Sequence, residues 1–312
     1  MFIHASSVLL FGLLCLSAAT RQYRVTSVVT FPAAVKIDDY KDMISAGVER
    51  IVIGLAAVRP DGTLDFKRVN KALMDEVHGI TKDTDVELFV RLSPIIKEDS
   101  AQKFQKVLTN QLKKYFDEFH LDGALVHPQV LSSSTSVVAE GLRYIGDTVR
   151  GIKSWRGRRG RVGLMFNTAE RSWSLIAPTK PVDHYDFAVC LLNIVSPIEI
   201  SNTKQFAVDV LHRWNNITSF SRMLEFGVMP LGRKVGEDSI FYRSLIYDGA
   251  PVTGDGKFNG YFYDSQTQIN EKAEIVINSQ MRGISFIGAE FDLHATDKRS
   301  LVAAALAKFP AL

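Results

Sequence analysis

Four residues on one short segment, Asp122, Leu125, His127 and Gln129, raise the first chemical question in this chain. A strand sends successive side chains to opposite faces. From Phe119 to Gln129 the face shared by Gly123, Leu125, His127 and Gln129 is therefore separate from that of Asp122, Ala124 and Val126. Bond cleavage at such a face needs a proton donor, and a general acid is worth a factor of about 10²–10⁴ in rate. Gln129 fills about the space of a glutamate and can hydrogen-bond, but its amide has no proton to give near neutral pH. His127 reads either as a hydrogen-bonded filler of a partly open strand end or as a catalytic group. The face is hydrogen-bonding and short of acid.

The elements that must position these residues are legible as apolar runs separated by amphipathic stretches, the pattern of repeated βα units on a parallel sheet. Eight runs are expected as strands: Val25 to Phe31, Arg50 to Leu55, Val86 to Arg91, the segment carrying Gly123, Arg161 to Asn167, Phe187 to Ile194, Met223 to Met229 and Gly283 to Gly288. Helices are expected over Ile37 to Ala46, Phe66 to Gly79, Ser100 to Phe119, Ser136 to Trp155, Asn202 to Ile217, Asn270 to Met281 and Asp297 to Phe309. Asp99-Ser100 and Thr296-Asp297 read as helix N-terminal caps. Eight strands in this alternation favour a closed barrel, with an open doubly wound sheet as the alternative.

The segment resembles the fourth barrel strand of the chitinase-like proteins of glycoside hydrolase family 18, which reads D-G-x-D-x-D-x-E. Asp122 and Gly123 match, and Leu125, His127 and Gln129 stand at the three acidic positions. Further likenesses run in order along residues 25 to 309: Asp61-Gly62-Thr63-Leu64 after the second strand, Val86 to Ser93 as the third, Gly227-Val228-Met229-Pro230-Leu231-Gly232-Arg233 as the seventh, and Ser265 to Met281 leading into Gly283-Ile284-Ser285-Phe286. The resemblance implies an α/β fold, a single-domain (β/α)8 TIM barrel over residues 20–312, with the altered face at the barrel mouth. In the family the last acid of the motif protonates the leaving oxygen and the middle one orients the substrate's acetamido group, a substrate-assisted route. The sixth strand's usual Tyr and Asp are replaced among Leu191, Asn193 and Ile194, and the last strand's aromatic floor by Ile287, or by Phe286 in a shifted register.

Barrel enzymes work at the C-terminal ends of their strands. The residues expected there are Arg91, Ser93, His127, Gln129, Asn167, Asn193, Arg233, Glu290, Asp292 and His294, with no catalytic residue among them. Glu290, Asp292 and His294 could join Arg233 in an ion network, join His127 as metal ligands, or supply a relocated acid; no metal and no cofactor is expected. His78, His120, His184 and His212 show no ligand spacing. Loss of acids and floor together points to a pseudoenzyme that binds a protein or glycan at the mouth. The alternatives are a chitooligosaccharide-binding lectin with a displaced aromatic platform at Phe31, Trp173 or Tyr261, and a hydrolase with a relocated acid.

Composition agrees with one globular domain: 312 residues, 46% hydrophobic and 23% charged. Residues 1–19 read as a secretory signal peptide, Val8 to Leu16 apolar and Ser17-Ala18-Ala19 small, so the protein is expected to be secreted and extracellular. No stretch reads as a membrane span. Cys15 would leave with the signal, and Cys190, in an apolar run, reads as a buried hydrophobe. Asn216-Ile217-Thr218 is a glycosylation sequon. A formal net charge of +3 excludes a nucleic-acid partner as the primary reading. The one basic run, Lys153 to Arg161, reads as a solvated loop or as a contact for an anionic polysaccharide or membrane.

Overall fold

The computed structural model describes residues 22–66, 69–192 and 198–310. The leader at 1–19 and the sixth-strand residues Asn193 and Ile194 lie outside the described residues. Eight strands, β1 (Arg24–Val29), β2 (Arg50–Val58), β3 (Glu87–Ile96), β4 (Gly123–Val126), β5 (Arg161–Asn167), β6 (Phe187–Leu191), β7 (Leu224–Val228) and β8 (Gly283–Ile287), pair in parallel in chain order. The pairing of β8 with β1 closes the sheet. This is the (β/α)8 barrel the strand count favours, and the open-sheet alternative is excluded by that last pairing.

Strands buried on both faces read as continuous apolar runs, and the two faces feed two cores. Val28, Val52, Phe89, Leu125, Met165, Phe187, Val189, Leu191 and Ile287 pack together inside the barrel. Their neighbours of opposite parity, such as Val90, Ala124, Val126 and Phe286, join the shell beneath the helices. The expected alternation along the fourth strand therefore holds, and Ile287 rather than Phe286 is the inward residue of β8. Gly123 is fixed by space alone: a Cβ there would lie 2.2 Å from the Arg161 carbonyl oxygen and 2.5 Å from the Phe89 ring.

The longer helices are α1 (Ile37–Ala46), α2 (Lys71–Thr81), α3 (Ser100–Glu118), α4 (Thr135–Gly151), α5 (Glu170–Thr179), α6 (Lys204–Thr218), α7 (Gln266–Asn278) and α8 (Leu301–Lys308). Of the two expected caps, Asp99 holds the N-cap position of α3 without a side-chain capping bond, and the one at α8 is displaced. Asp99 has a left-handed backbone, and the Ser100 hydroxyl accepts from the Lys97 amide. At α8 the cap is Ser300, whose Oγ accepts from the Ala303 amide, rather than Thr296-Asp297. Helix α7 starts earlier than its apolar period suggests, because Ser265 and Gln268 form a capping box. Helix α5 is absent from the sequence reading; it has no capping side chain and holds Pro178. Cys190 is buried and free, its thiol pushed up by burial, and Asn216 is exposed near the end of α6. Among the described residues, no helix is long and apolar enough to cross a membrane.

Candidate functional site at the barrel mouth

The C-terminal ends of β3 and β4 hold the residues of the altered face. Leu125 is fully buried among the inner apolar side chains. His127 follows the strand, its amide donating to the Leu92 carbonyl at 2.7 Å. The chain breaks from the sheet at His127-Pro128 and pairs again only at Gln129 and Val130, beside Ile95 and Ile96 of β3. Gln129 is exposed there. Asp122, on the other face, is buried at the base of the strand: it accepts from the Leu88 amide at 3.0 Å and faces Arg156 at 3.3 Å. Its carboxyl is raised by burial. Asp122 holds the strand in place, far from the mouth.

His127 is the titratable group of this face. Its imidazole is pushed down to about 4, first by burial and then by the Arg91 charge. It is neutral near pH 7 and offers one donor and one acceptor. The unfolded side chain titrates near 6.5, so between that pH and about 4 the unfolded chain binds more protons than the native one. The native state is thus expected to lose about 3 kcal/mol as pH falls across that window. Urea unfolding of the wild type and His127→Gln at pH 7 and pH 4.5 checks this: the variant should lose less, and equal losses would contradict it.

The other expected mouth residues separate into three places. His127 and Asn167 line a cavity of about 270 Å³ with Pro128 and Arg171. Asn167 is already engaged, its Oδ1 accepting from the Ala169 amide at 2.9 Å and the Ser172 hydroxyl at 2.7 Å, which starts α5. Glu290, Asp292 and His294 line a second cavity of about 320 Å³ against α1. Arg233 lines a third, a cleft of about 10 Å³ with Asn202 and Asp264. Asn193 lies outside the described residues. Arg91, buried on β3, links the first two places, since its charge is felt at both His127 and Glu290.

Asp292 is a structural carboxylate. It accepts from the amides of Leu293, Leu301 and Val302 and from the Ser300 hydroxyl, so it caps α8 from outside the helix. Burial still raises it to about 6 against those bonds. His294 faces Asp39 at 3.4 Å and Asp42 at 4.0 Å. Glu290 differs: Oε1 accepts from the Thr30 and Phe31 amides at 2.9 and 2.8 Å, while Oε2 is buried without a hydrogen-bond partner. Burial raises its carboxyl, opposed by those amides and by Arg91. Among the described residues, no three or more His, Cys, Asp or Glu side chains group to hold a metal ion.

Around Glu290 the strand ends carry aromatic rings. Phe31, beyond β1, is 54% exposed and lies 6.0 Å from Phe291, which follows β8. Phe291 stacks on Phe241 at 4.5 Å with the rings 3° apart, and Phe241 is 40% exposed. Of the three aromatics expected as a platform, Phe31 is thus placed to serve. Trp173 is only 3% exposed, packed edge-on to Phe166 with its Nε1 donating to Thr168, so it is core. Tyr261 is half-buried and donates to Glu237 at 3.1 Å. Phe241 and Phe291 carry no period or motif that would have marked them in sequence.

Barrel and mouth together define a single-domain (β/α)8 barrel protein. A chitinase from Bacteroides thetaiotaomicron superimposes with a TM-score of 0.72 at 14% identity, covering 92% of this chain and 96% of that one. The family 18 chitinase ChiB from Flavobacterium johnsoniae gives 0.70 at 15%, covering 93% and 94%. A family 18 N-acetylglucosaminidase from Paenibacillus barengoltzii gives 0.66 at 13%, covering 92% and 100%. No family model matches the sequence, and no curated protein does. At these identities the likeness is one of fold.

Proposed function

We propose that this chain is a chitinase-like pseudoenzyme of the glycoside hydrolase family 18 type, secreted after removal of residues 1–19, which binds a glycan at its barrel mouth and does not cleave it. One observation carries the reading. Where the related barrels' motif would end in acids, this chain has a buried Leu125, a neutral His127 and an exposed Gln129 amide. The exposed Phe31 and Phe241 beside Phe291 support a sugar ligand over a protein one, because a sugar's C–H face packs on an aromatic plane. The N-acetylglucosamine oligomers acted on by chitinases are the first probes to try.

Ring contacts of this kind are worth about 0.5–1.5 kcal/mol each. Phe31→Ala and Phe241→Ala are each expected to weaken binding of such an oligomer by about threefold to tenfold in calorimetry. No heat at millimolar oligomer, or affinity unmoved by both substitutions, would refute this placement.

A second reading rests on Glu290, whose raised carboxyl and unpartnered Oε2 suit a displaced proton donor. It requires that one acid replace a set of cooperating groups. The cavity it lines is shared with Ser27, Asp42 and His294 on the α1 side, away from His127 and Gln129.

A further inference from the structure

The basic run Lys153 to Arg161 forms a hairpin at the opposite end of the barrel. Lys153 bridges Arg159, the Ser154 amide donates to the Arg158 carbonyl at 2.7 Å, and Gly157 turns the chain with φ of 73°. One arginine holds the hairpin to the barrel base. Arg156 donates to the Thr84, Thr81 and Val86 carbonyls at 2.8, 3.3 and 3.0 Å and faces Asp122. With both terminal nitrogens of its guanidinium bonded to carbonyls, Arg156 is structural, as residues at the N-terminal face of such barrels usually are.

The remaining arginines exceed what the structure needs. They surround a cavity of about 310 Å³ lined by Arg24, Arg156, Arg158, Arg159 and Arg161 with three carboxylates. Arg159 is spent on Asp186 at 2.5 Å. Arg24 and Arg161 both lean on Glu87, which also serves Arg50 from below. Glu225 is shared in turn between Arg50 and Arg282. Arg24 also faces Glu49 at 4.0 Å, so three carboxylates serve four guanidiniums, and Nη2 of both Arg50 and Arg282 is buried without an acceptor. The local field shows it: beyond its burial, Arg24 is pushed down by the charges of Arg50 and Arg161. Arg158 is exposed at the rim, and among the described residues its side chain makes no hydrogen bond or ion pair.

We propose that this basal cavity binds a doubly charged tetrahedral oxyanion, either free phosphate or the terminal phosphate monoester of a larger molecule, with Arg158 closing over it from the rim and Arg24 and Arg161 facing it from the wall. Arginine suits the task because its planar fork meets two oxygens of such a group at once. The hairpin is pinned before the ligand arrives, so little ordering is needed on binding. The cavity has room for one small anion with its waters, and its lining of arginines and carboxylates disfavours an apolar ligand. The site is independent of the mouth and of what the mouth binds.

The test is calorimetry of the full chain with inorganic phosphate at fixed ionic strength, with chloride as the control. Saturable binding above the control is expected, weakened about tenfold in Arg158→Ser. Arg158→Lys should recover only part of that loss, since the charge returns without the fork. Arg158 is exposed, so both variants should fold as the wild type does, which an unfolding midpoint checks. Phe31→Ala, at the other end of the barrel, should leave phosphate affinity unchanged. Methyl phosphate binding more tightly than phosphate identifies an ester as the ligand, and equal affinity identifies the free ion. No saturable binding beyond chloride, or equal phosphate affinity in wild type and Arg158→Ser, overturns the proposal.

Discussion

Glu225→Ala is expected to lower the unfolding free energy by about 3–5 kcal/mol, the usual loss when one partner of a buried ion pair is removed. Glu225 and Arg50 are fully buried at the base of the barrel, joined at 2.9 Å. The carboxylate also accepts from Ser285 Oγ at 2.6 Å, Thr26 Oγ1 at 3.2 Å and Arg282 Nε at 3.0 Å. Opposite charge holds it below the usual carboxylate range despite the cost of burial. Without it, Arg50 keeps Glu87 at 3.0 Å and the face of Phe187 at 3.9 Å, and Arg282 loses its carboxylate. The cost is the stranded charge rather than the lost bond. Glu225→Gln, which keeps shape and some hydrogen bonds, should fall between wild type and Ala. Urea unfolding at pH 7 measures it, and a loss below about 1 kcal/mol would mean that water reaches the barrel base.

That network also marks where sequence reading stops. Arg50 and Glu225 lie inside runs read as apolar strands, and both runs are strands. Nothing local says that the two charges meet, because their partners are 175 residues apart and the contact exists only once the barrel closes. The strands were legible for the opposite reason: burial on both faces writes itself as continuous Val, Ile and Phe in a single segment. Arg161 to Asn167 is found with both ends correct, and Ile37 to Ala46 likewise. Helix ends drifted where a cap overrode the apolar period, as at Asn70, whose side chain accepts from the Ala72 amide and starts α2 five residues later than expected.

The mouth was legible in the same uneven way. Alternation placed Leu125 inward, where it packs. It could not tell that the chain leaves the sheet at Pro128 and carries Gln129 to an exposed position. It groups Glu290, Asp292, His294 and Arg233 by their places after strands, whereas the first three share one cavity and Arg233 lines another. The stacked pair Phe241 and Phe291 joins segments 50 residues apart in sequence and had no sequence signal.

The second large effect is on catalysis. On the proposed function the fourth strand offers no general acid, worth about 10²–10⁴ in rate, and no acid to orient the substrate. Gln129→Glu alone is therefore not expected to restore hydrolysis, since by the resemblance His127 still stands where an acid would orient the acetamido group and Leu125 at the remaining acidic position. Activity from Gln129→Glu alone would show that the other two positions are dispensable.

The central claim is tested most directly by following a fluorogenic N-acetylglucosamine oligomer with purified wild-type protein and Glu290→Gln from pH 4 to pH 8. The account predicts release at the buffer rate for both proteins at every pH, together with oligomer binding that Phe31→Ala weakens. Turnover by the wild type that disappears in Glu290→Gln would contradict it and make this barrel a hydrolase with a displaced acid.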